Sequence, residues 1–133
     1  MIQVAIVGCG NIAHAHMEGL LTFPKRCQVV ALCDIYPEKA EAMKKEYGLN
    51  CRIYADHETM LEKENKLDLV HVCTPPYVHA EISIHALDAG CNVVVEKPMA
   101  TCLSECDQML EAEKRSKKHL LASRRIVSAI RSI

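Results

Sequence analysis

Residues 4–13 read Val4-Ala5-Ile6-Val7-Gly8-Cys9-Gly10-Asn11-Ile12-Ala13. An apolar, β-branched run breaks at two glycines one residue apart and then changes to a helical pattern. The spacing matches the dinucleotide-binding turn G-x-G-x-x-G/A, with Ala13 as the third small residue. In that turn the first glycine allows a sharp bend. The second lets backbone amides approach a pyrophosphate at the positive end of the helix.

The composition is that of an ordinary globular domain, with 50% hydrophobic and 25% charged residues among 133, which excludes a disordered chain. No apolar run approaches the ~20 residues of a membrane span, and the amino terminus lacks the basic segment of a secretory signal. Eight cysteines are scattered without a C-x-x-C pair. We therefore expect reduced core cysteines in a cytoplasmic protein. The alternative, a zinc site, has no supporting Cys/His spacing, so no metal is predicted.

Charge is unevenly distributed along the chain. All 17 acidic residues lie in residues 1–113, whereas 7 of the 16 basic residues lie in residues 114–133. A basic tail can bind nucleic acid. Cations at the carboxyl end of a helix, followed by a connector, account for the same pattern, and we predict neither a nucleic-acid nor a membrane partner.

Strand and helix patterns alternate with short connections, which is typical of βαβ units and a parallel sheet. The predicted strands are residues 2–7, 28–33, 51–54, 68–72, 91–95 and 119–123, with five helices between them. The right-handed crossover rule leaves few topologies. We predict an α/β fold of the Rossmann type: a doubly wound, parallel six-stranded sheet with helices on both faces and strand order 3-2-1-4-5-6.

Apolar spacing also predicts which helix faces pack against the sheet. On the first helix the inward positions would be Ile12, Ala15, Gly19 and Leu20. The last helix, capped by Thr101, would direct inward Leu103, Cys106 and Leu110.

In this topology the ligand-binding turns follow strands 1, 4 and 5, and the end of strand 2 meets the ribose. Asp34 ends strand 2, 21 residues beyond Ala13, close to the ~20 expected of the acid that hydrogen-bonds a ribose diol. Its carboxylate would repel a 2′-phosphate, so NAD is favoured over NADP. Lys39, one turn into the next helix, keeps NADP as the less favoured alternative.

The turn after strand 4 is the stiff segment Thr74-Pro75-Pro76. Two prolines fix φ and remove two amide donors, which holds the shape of the loop against a flat ring. His79 follows in the first turn of the next helix. Its residue type fits a site residue and a capping or packing histidine equally well.

The turn after strand 5 is Glu96-Lys97-Pro98, which places two opposite charges at the carboxyl end of an apolar strand. A lysine there can hold a substrate hydroxyl or a developing alkoxide, with the glutamate orienting it. The Lys97–Pro98 bond is a candidate for the cis form, which only proline makes accessible at low cost.

Together these turns resemble the amino-terminal domain of the glucose–fructose oxidoreductase / inositol dehydrogenase (GFO/IDH/MocA) family. The similarity covers about residues 1–123, and its specific part is E-K-P after strand 5 combined with T-P-P-x-x-H after strand 4. It implies NAD(P)-dependent oxidation or reduction of a hydroxyl-bearing carbon, commonly on a sugar, inositol or related polyol.

The resemblance also implies a role for each turn. The pyrophosphate would be held by Gly8, Gly10, Asn11 and Ile12, and the adenosine ribose by Asp34. The nicotinamide side would be lined by Thr74, Pro75 and His79. The nicotinamide ribose and the substrate would be reached by Glu96 and Lys97, with Lys97 as the catalytic lysine. The same turns contribute three further predicted cofactor-binding residues, which are Cys9, Ile35 and Cys73.

Members of the family continue into a second, mostly β domain. That domain supplies the substrate pocket, a D-x-x-x-H pair with the proton-transfer histidine, and the oligomer interface. Residues 1–123 are predicted to be the nucleotide-binding domain, and residues 124–133 to begin the connector to a second domain that this sequence lacks. We predict little turnover by the chain alone. Two functions stay open: the cofactor half of an oxidoreductase, or a non-catalytic nucleotide-binding or interaction module from a truncated product, with the uncovered surface taking a second copy or a partner.

Overall fold

The computed structural model describes residues 1–123, which form six strands, five α-helices and one short 3-10 turn at Pro76–Val78. In chain order the strands and α-helices are β1 (Ile2–Val7), α1 (Asn11–Leu21), β2 (Cys27–Cys33), α2 (Pro37–Tyr47), β3 (Arg52–Tyr54), α3 (His57–Lys63), β4 (Leu69–Val72), α4 (His79–Asp88), β5 (Asn92–Val95), α5 (Leu103–Ser116) and β6 (Leu120–Ala122). The connector predicted at residues 124–133 lies outside the described residues.

The strands form one parallel sheet in the order β3-β2-β1-β4-β5-β6, so the predicted topology is confirmed. β1 pairs with both β2 and β4, and its last residue, Val7, aligns with Cys33 and Val72. The chain therefore reverses its winding direction between β1 and β4. A crevice opens there at the carboxyl ends of the strands, where ligands bind in this type of sheet.

The core lies on both faces of the sheet, which explains why the strands read as continuous apolar runs. Alternate residues of β1 point to opposite faces. Val4 and Ile6 join the cluster beneath α1 and α2, whereas Ala5 and Val7 join the cluster beneath α3, α4 and α5. All four side chains are at most 3% exposed. None of the helices in the described part of the chain has the length and apolar character needed to cross a membrane.

The predicted inward face of α1 is partly wrong. Ile12 is 44% exposed and Ala15 is also exposed, whereas the buried positions are Ala13, His16, Met17 and Leu20. The helix is rotated because the small Ala13, fully buried, packs directly against the sheet at the first turn. That close approach is the role of the third small residue of the glycine turn.

The predicted start and inward face of α5 are also wrong. Cys102 is the N-cap, and Thr101 instead donates from its amide and its hydroxyl to Glu105. Leu103 is 82% exposed, and the buried positions are Met109 and Ala112. The helix α5 has two apolar faces, one with Met109 and Ala112 and the other with Leu103 and Leu110. The face with the small Ala112 packs inward because it lets α5 approach α4 closely, so the two leucines remain exposed.

Candidate functional site

Gly8 is wedged against the turn that follows β4. Its φ is +92°, and a Cβ added there would lie 2.7 Å from the carbonyl carbon of Cys73 and 2.8 Å from the amide nitrogen of Thr74. The Cys73 amide donates to the Val7 carbonyl at 2.8 Å, which holds the two turns together. A side chain would therefore separate the two strand ends between which the crevice opens.

Gly10 plays a different part, because it borders open space. It is the N-cap of α1 and contributes no side chain to cap the helix, and the first turn holds no acidic residue. A Cβ at Gly10 would meet no protein atom within 4 Å. The Ala13 amide donates to the Gly10 carbonyl at 3.1 Å, whereas the amides of Asn11 and Ile12 precede the first helical acceptors. Together with the helix dipole, these two amides form a binding position for an anion.

Asp34 connects the glycine turn to the end of β2. One carboxylate oxygen accepts from the Cys9 amide at 2.8 Å, and the other accepts from the Tyr36 amide at 2.9 Å. The residue is only half-buried. Each carboxylate oxygen has two acceptor positions, so Asp34 can support the turn and still accept hydrogen bonds from a ribose diol. The sequence spacing predicted the contact with a ribose, and the structure adds the support of the glycine turn.

A cleft of about 600 Å³ lies between the turns that follow β1, β2, β3 and β4, a volume typical of small-molecule sites. We call it the switch-point cleft. Of the predicted site residues it is lined by Gly8, Gly10, Asn11, Ile12, Asp34, Ile35, Cys73, Thr74 and Pro75. Its walls also contain residues that were not predicted from the sequence, which are Val7, Cys33, Tyr36, Ala55, Asp56, His57, Tyr77, Val78, Glu81 and Ile82.

Lys39 also lines the switch-point cleft, close to Asp34. Its ammonium lies 5.2 Å from the centre of the Tyr36 ring, which is within the range of a cation–π contact. The site therefore presents a carboxylate and an ammonium near the end of β2. These are the two groups from which the sequence predicts a preference for NAD with NADP as the alternative.

His79 is buried behind the cleft rather than lining it, with 1% of its surface exposed. Its Nδ1 lies 2.8 Å from the Pro98 carbonyl oxygen and its Nε2 lies 2.7 Å from the Thr74 carbonyl oxygen. His79 thus ties the turn after β4 to the turn after β5, which is the packing alternative that the sequence left open.

Glu96 begins a chain of polar contacts that leads into the core. One of its carboxylate oxygens lies 3.3 Å from His16 Nε2, and His16 Nδ1 lies 2.8 Å from His71 Nδ1. His71 is completely buried in the middle of β4, and burial lowers its pKa to about 3, so its ring is neutral. A consistent set of donors then runs from the His71 Nδ1–H to His16, and from the His16 Nε2–H to Glu96.

The pKa of His16 is also lowered, mainly by burial, although its bond to Glu96 acts in the opposite direction. One feature of the sequence points to this network, namely a histidine inside the otherwise apolar strand Leu69–Val72. The remaining ring nitrogen of His71, Nε2, has no partner among the described residues. A buried imidazole nitrogen without a proton is less costly there than an unpaired N–H.

Lys97 is exposed at the carboxyl end of β5, and the Lys97–Pro98 bond is cis, as the sequence predicted. Its backbone amide donates to the second carboxylate oxygen of Glu96 at 3.3 Å. Within residues 1–123 no salt bridge joins the two side chains. Glu96 therefore orients the main chain of Lys97, whereas the sequence suggested that it orients the ammonium.

All eight cysteines are free thiols, as expected from their spacing. Six are buried, and burial raises the pKa of Cys9 and of Cys33 to about 12. Such thiols remain protonated at neutral pH and behave as small apolar side chains. Cys9 and Cys73 therefore contribute shape and backbone atoms to the two turns, and no thiolate chemistry.

Comparisons with known proteins agree with this geometry. Residues 2–123 match the family model GFO_IDH_MocA, described as an oxidoreductase family with an NAD-binding Rossmann fold. The inositol 2-dehydrogenase of Salmonella typhimurium is 28% identical over 120 residues, which are 90% of this chain and 35% of that protein. The D-glucoside 3-dehydrogenase of Escherichia coli is 33% identical over 119 residues, which are 90% of this chain and 33% of that protein.

Two solved structures give the same result. The WlbA dehydrogenase from Bordetella pertussis, in complex with NADH and UDP-GlcNAcA, superposes with a TM-score of 0.85 at 30% identity, over 92% of this chain and 36% of that one. The myo-inositol 2-dehydrogenase from Lactobacillus plantarum gives a TM-score of 0.82 at 28% identity, over 92% of this chain and 36% of that one. The chain thus spans about a third of the length of the relatives it matches.

Proposed function

The chain belongs to the GFO_IDH_MocA oxidoreductase family, and we propose that it is the NAD-binding half of an enzyme that transfers hydride at a hydroxyl-bearing carbon of a sugar, inositol or related polyol. One observation carries the proposal. Gly8 brings the turns after β1 and β4 into contact, while Gly10 leaves open space at the start of α1. The two glycines of the motif thus have the separate roles that a bound dinucleotide requires.

The switch-point cleft fits the parts of NAD in order. The pyrophosphate would lie on the first amides of α1, beside Gly10 and Ile12. The adenosine ribose would donate to the carboxylate of Asp34. Apolar side chains on the same walls, among them Ile35 and Val78, would enclose the flat adenine ring. When bound, NAD supplies the nicotinamide carbon that accepts or gives hydride.

The same residues support NAD over NADP. A 2′-phosphate on the adenosine ribose would stand against the Asp34 carboxylate, which the Cys9 and Tyr36 amides hold in place. Among the residues that line the cleft, Lys39 is the one permanent cation. Its ammonium lies over the Tyr36 ring, and its positive charge would offset part of the repulsion between Asp34 and a 2′-phosphate. We therefore expect a preference for NAD rather than complete exclusion of NADP.

Lys97 is proposed as the catalytic residue. Its exposed ammonium at the end of β5 could donate to the substrate hydroxyl oxygen and stabilise negative charge that develops there. Glu96 supports this position through the Lys97 amide, and His16 and His71 anchor Glu96 from the core. Loss of the ammonium would therefore impair the chemical step far more than cofactor binding.

Complete turnover is proposed to need a second domain, on this polypeptide or on another, because the chain spans about a third of the length of its relatives. That domain would bring the substrate pocket and the group that takes the substrate proton. We propose residues 124–133 as the connection to it. A cytoplasmic location is also proposed, since all eight cysteines are free and reducing compartments keep thiols unpaired.

A second candidate function is a non-catalytic nucleotide-binding or interaction module. The observation that favours it is the apolar stripe on α5, where Leu103 is 82% and Leu110 is 50% exposed. Exposed apolar area of this kind suits a second copy of the chain or another protein. The substrate domain of a relative, added to the chain, would give hydride transfer if the first function is correct and none if the second is.

Calorimetric titration tests the cofactor assignment. We expect NADH to bind with a stoichiometry of one and more tightly than NADPH, by roughly tenfold or more. Lys97→Ala should leave the NADH dissociation constant nearly unchanged, since Lys97 does not line the cleft. Absence of binding by either dinucleotide would refute the assignment, and tighter binding of NADPH would refute the role of Asp34.

A further inference from the structure

Four potential metal ligands meet beside the switch-point cleft, and two of them, His57 and Glu81, also line it. His57 and Glu58 begin α3, and Glu81 and His85 lie on α4. One ligand atom from each of the four side chains lies within 4.8 Å of all the others. Within residues 1–123 this is the one such convergence of three or more histidine, cysteine or acidic side chains.

The two histidines form the centre of the cluster. His57 Nε2 lies 2.8 Å from His85 Nδ1, and the two rings are stacked with an angle of 20° between their planes. Glu81 and His85 are four residues apart on one helix, so their side chains share a face. The cluster was invisible in the sequence because His57 and His85 are 28 residues apart and meet only when α3 packs against α4.

Two imidazoles and two carboxylates are a ligand set typical of zinc and of its neighbours in the first transition row. Bonds of about 2.1 Å in a tetrahedral site place ligand atoms ~3.4 Å apart. The two histidine nitrogens, 2.8 Å apart, would therefore separate by about 0.6 Å, and no pair of ligand atoms would need to approach by more than about 1.4 Å. Glu58 and Glu81 are exposed, so side-chain rotation alone accomplishes this.

The charges around the cluster also suit a cation. The two carboxylates supply two negative charges, which balance a divalent ion. Asp56, also beside His57, adds a third carboxylate, although it is engaged in capping α3 through the Thr59 amide.

We propose that His57, Glu58, Glu81 and His85 bind one divalent transition-metal ion of the zinc class, which joins α3 to α4 at the wall of the cleft. None of the four ligands is a residue assigned to the dinucleotide or to hydride transfer, although His57 and Glu81 also line the switch-point cleft. It departs from the expectation of no metal, which rested on Cys/His spacing along the chain.

The test is a titration with Co²⁺, whose visible absorption reports the number and type of its ligands. The chain is stripped with a chelator, and no NADH is present, so the outcome does not depend on the proposed function. Cys102 and Cys106 are replaced by serine in every sample, because these two thiols are not buried and would compete for the metal. We expect one equivalent of Co²⁺ with a tetrahedral spectrum that lacks a thiolate band, displaced by one equivalent of Zn²⁺.

Matched variants assign the ligands. His85→Gln and Glu81→Gln should each weaken Co²⁺ binding roughly tenfold or more, since each removes one ligand. His119→Gln, which changes an exposed histidine outside the cluster, should leave it unchanged. Zn²⁺ should raise the thermal midpoint of the parent chain and not that of Glu81→Gln. Glu81 is exposed, so Glu81→Gln should fold normally and tests metal binding even if His85→Gln fails to fold. Absence of Co²⁺ binding, or equal affinity in Glu81→Gln and the parent, would overturn the proposal.

Discussion

Replacing Gly8 by alanine tests the contact between the turns after β1 and β4. The new Cβ would lie 2.7–2.8 Å from three backbone atoms of Cys73 and Thr74, which cannot move as a flexible side chain can. The positive φ costs ~1–2 kcal/mol for a residue with a Cβ, and overlap in a packed region adds ~1–3 kcal/mol. We expect the free energy of unfolding to fall by about 2–5 kcal/mol, out of the roughly 5–15 kcal/mol of a typical domain.

Gly90→Ala is the matched control for this change. Gly90 has φ +90°, nearly that of Gly8 at +92°, yet a Cβ there would meet nothing within 4 Å. It therefore measures the conformational cost alone, and the difference between the two variants isolates the contact with the turn after β4. Urea unfolding followed by circular dichroism gives both values. Equal destabilisation by the two substitutions would refute the claim that Gly8 is wedged against Cys73 and Thr74.

Gly10→Ala completes the comparison by separating binding from stability. Its Cβ would enter open space, so the stability loss should be small, about 0.5–1 kcal/mol, because alanine is a poorer N-cap than glycine. The same methyl group would occupy the position proposed for the pyrophosphate. NADH affinity should therefore fall at least about tenfold, and unchanged affinity would contradict the placement of the dinucleotide.

Three other predictions concern thiols, pH and cofactor choice. Cys102 and Cys106 should react with a thiol reagent in the folded chain, and the six buried cysteines should react only on unfolding. Mass spectrometry counts the labelled thiols. Rapid labelling of all eight in the folded chain would contradict the described burial. The pKa of His71 in the folded chain is lowered to about 3. As the pH falls, His71 is therefore protonated in the unfolded chain before it is protonated in the folded chain. The free energy of unfolding should fall as the pH drops below about 6.5, by up to ~1.4 kcal/mol per pH unit. His71→Leu should flatten that slope in urea titrations, and an unchanged slope would show that other groups cause it. Asp34→Asn should weaken NADH binding and narrow the gap to NADPH, whereas a wider gap in calorimetry would contradict the repulsion assigned to the carboxylate.

The sheet and the crevice were predictable because their signals are local. Parallel strands covered on both faces require apolar runs, and the turns between strand and helix require glycine or proline at fixed offsets. The glycine turn, Asp34 and the Glu96-Lys97-Pro98 segment all stand where the topology brings turns to one edge of the sheet. Their neighbourhood could therefore be inferred without any knowledge of side-chain packing.

Helix faces and buried polar contacts were less predictable because they depend on packing between elements. On α1 the helix face that contains Ile12 and the face that contains Ala13 are offset by one residue. Only the close contact of the helix with the sheet determines that the face with Ala13 is buried. The partnership of His16 with His71 joins a helix to a strand 55 residues away. His79 fitted two roles by residue type, and only its two carbonyl partners show that it fastens the turns together.

A crystal structure of the chain with NADH would locate every part of the cofactor at once. We expect the dinucleotide in the switch-point cleft, with its pyrophosphate on the amides that begin α1 beside Gly10. The hydroxyls of its adenosine ribose should lie within hydrogen-bonding distance of the Asp34 carboxylate. A dinucleotide bound outside that cleft, or inside it with no contact between Asp34 and the ribose, would refute the proposed cofactor site.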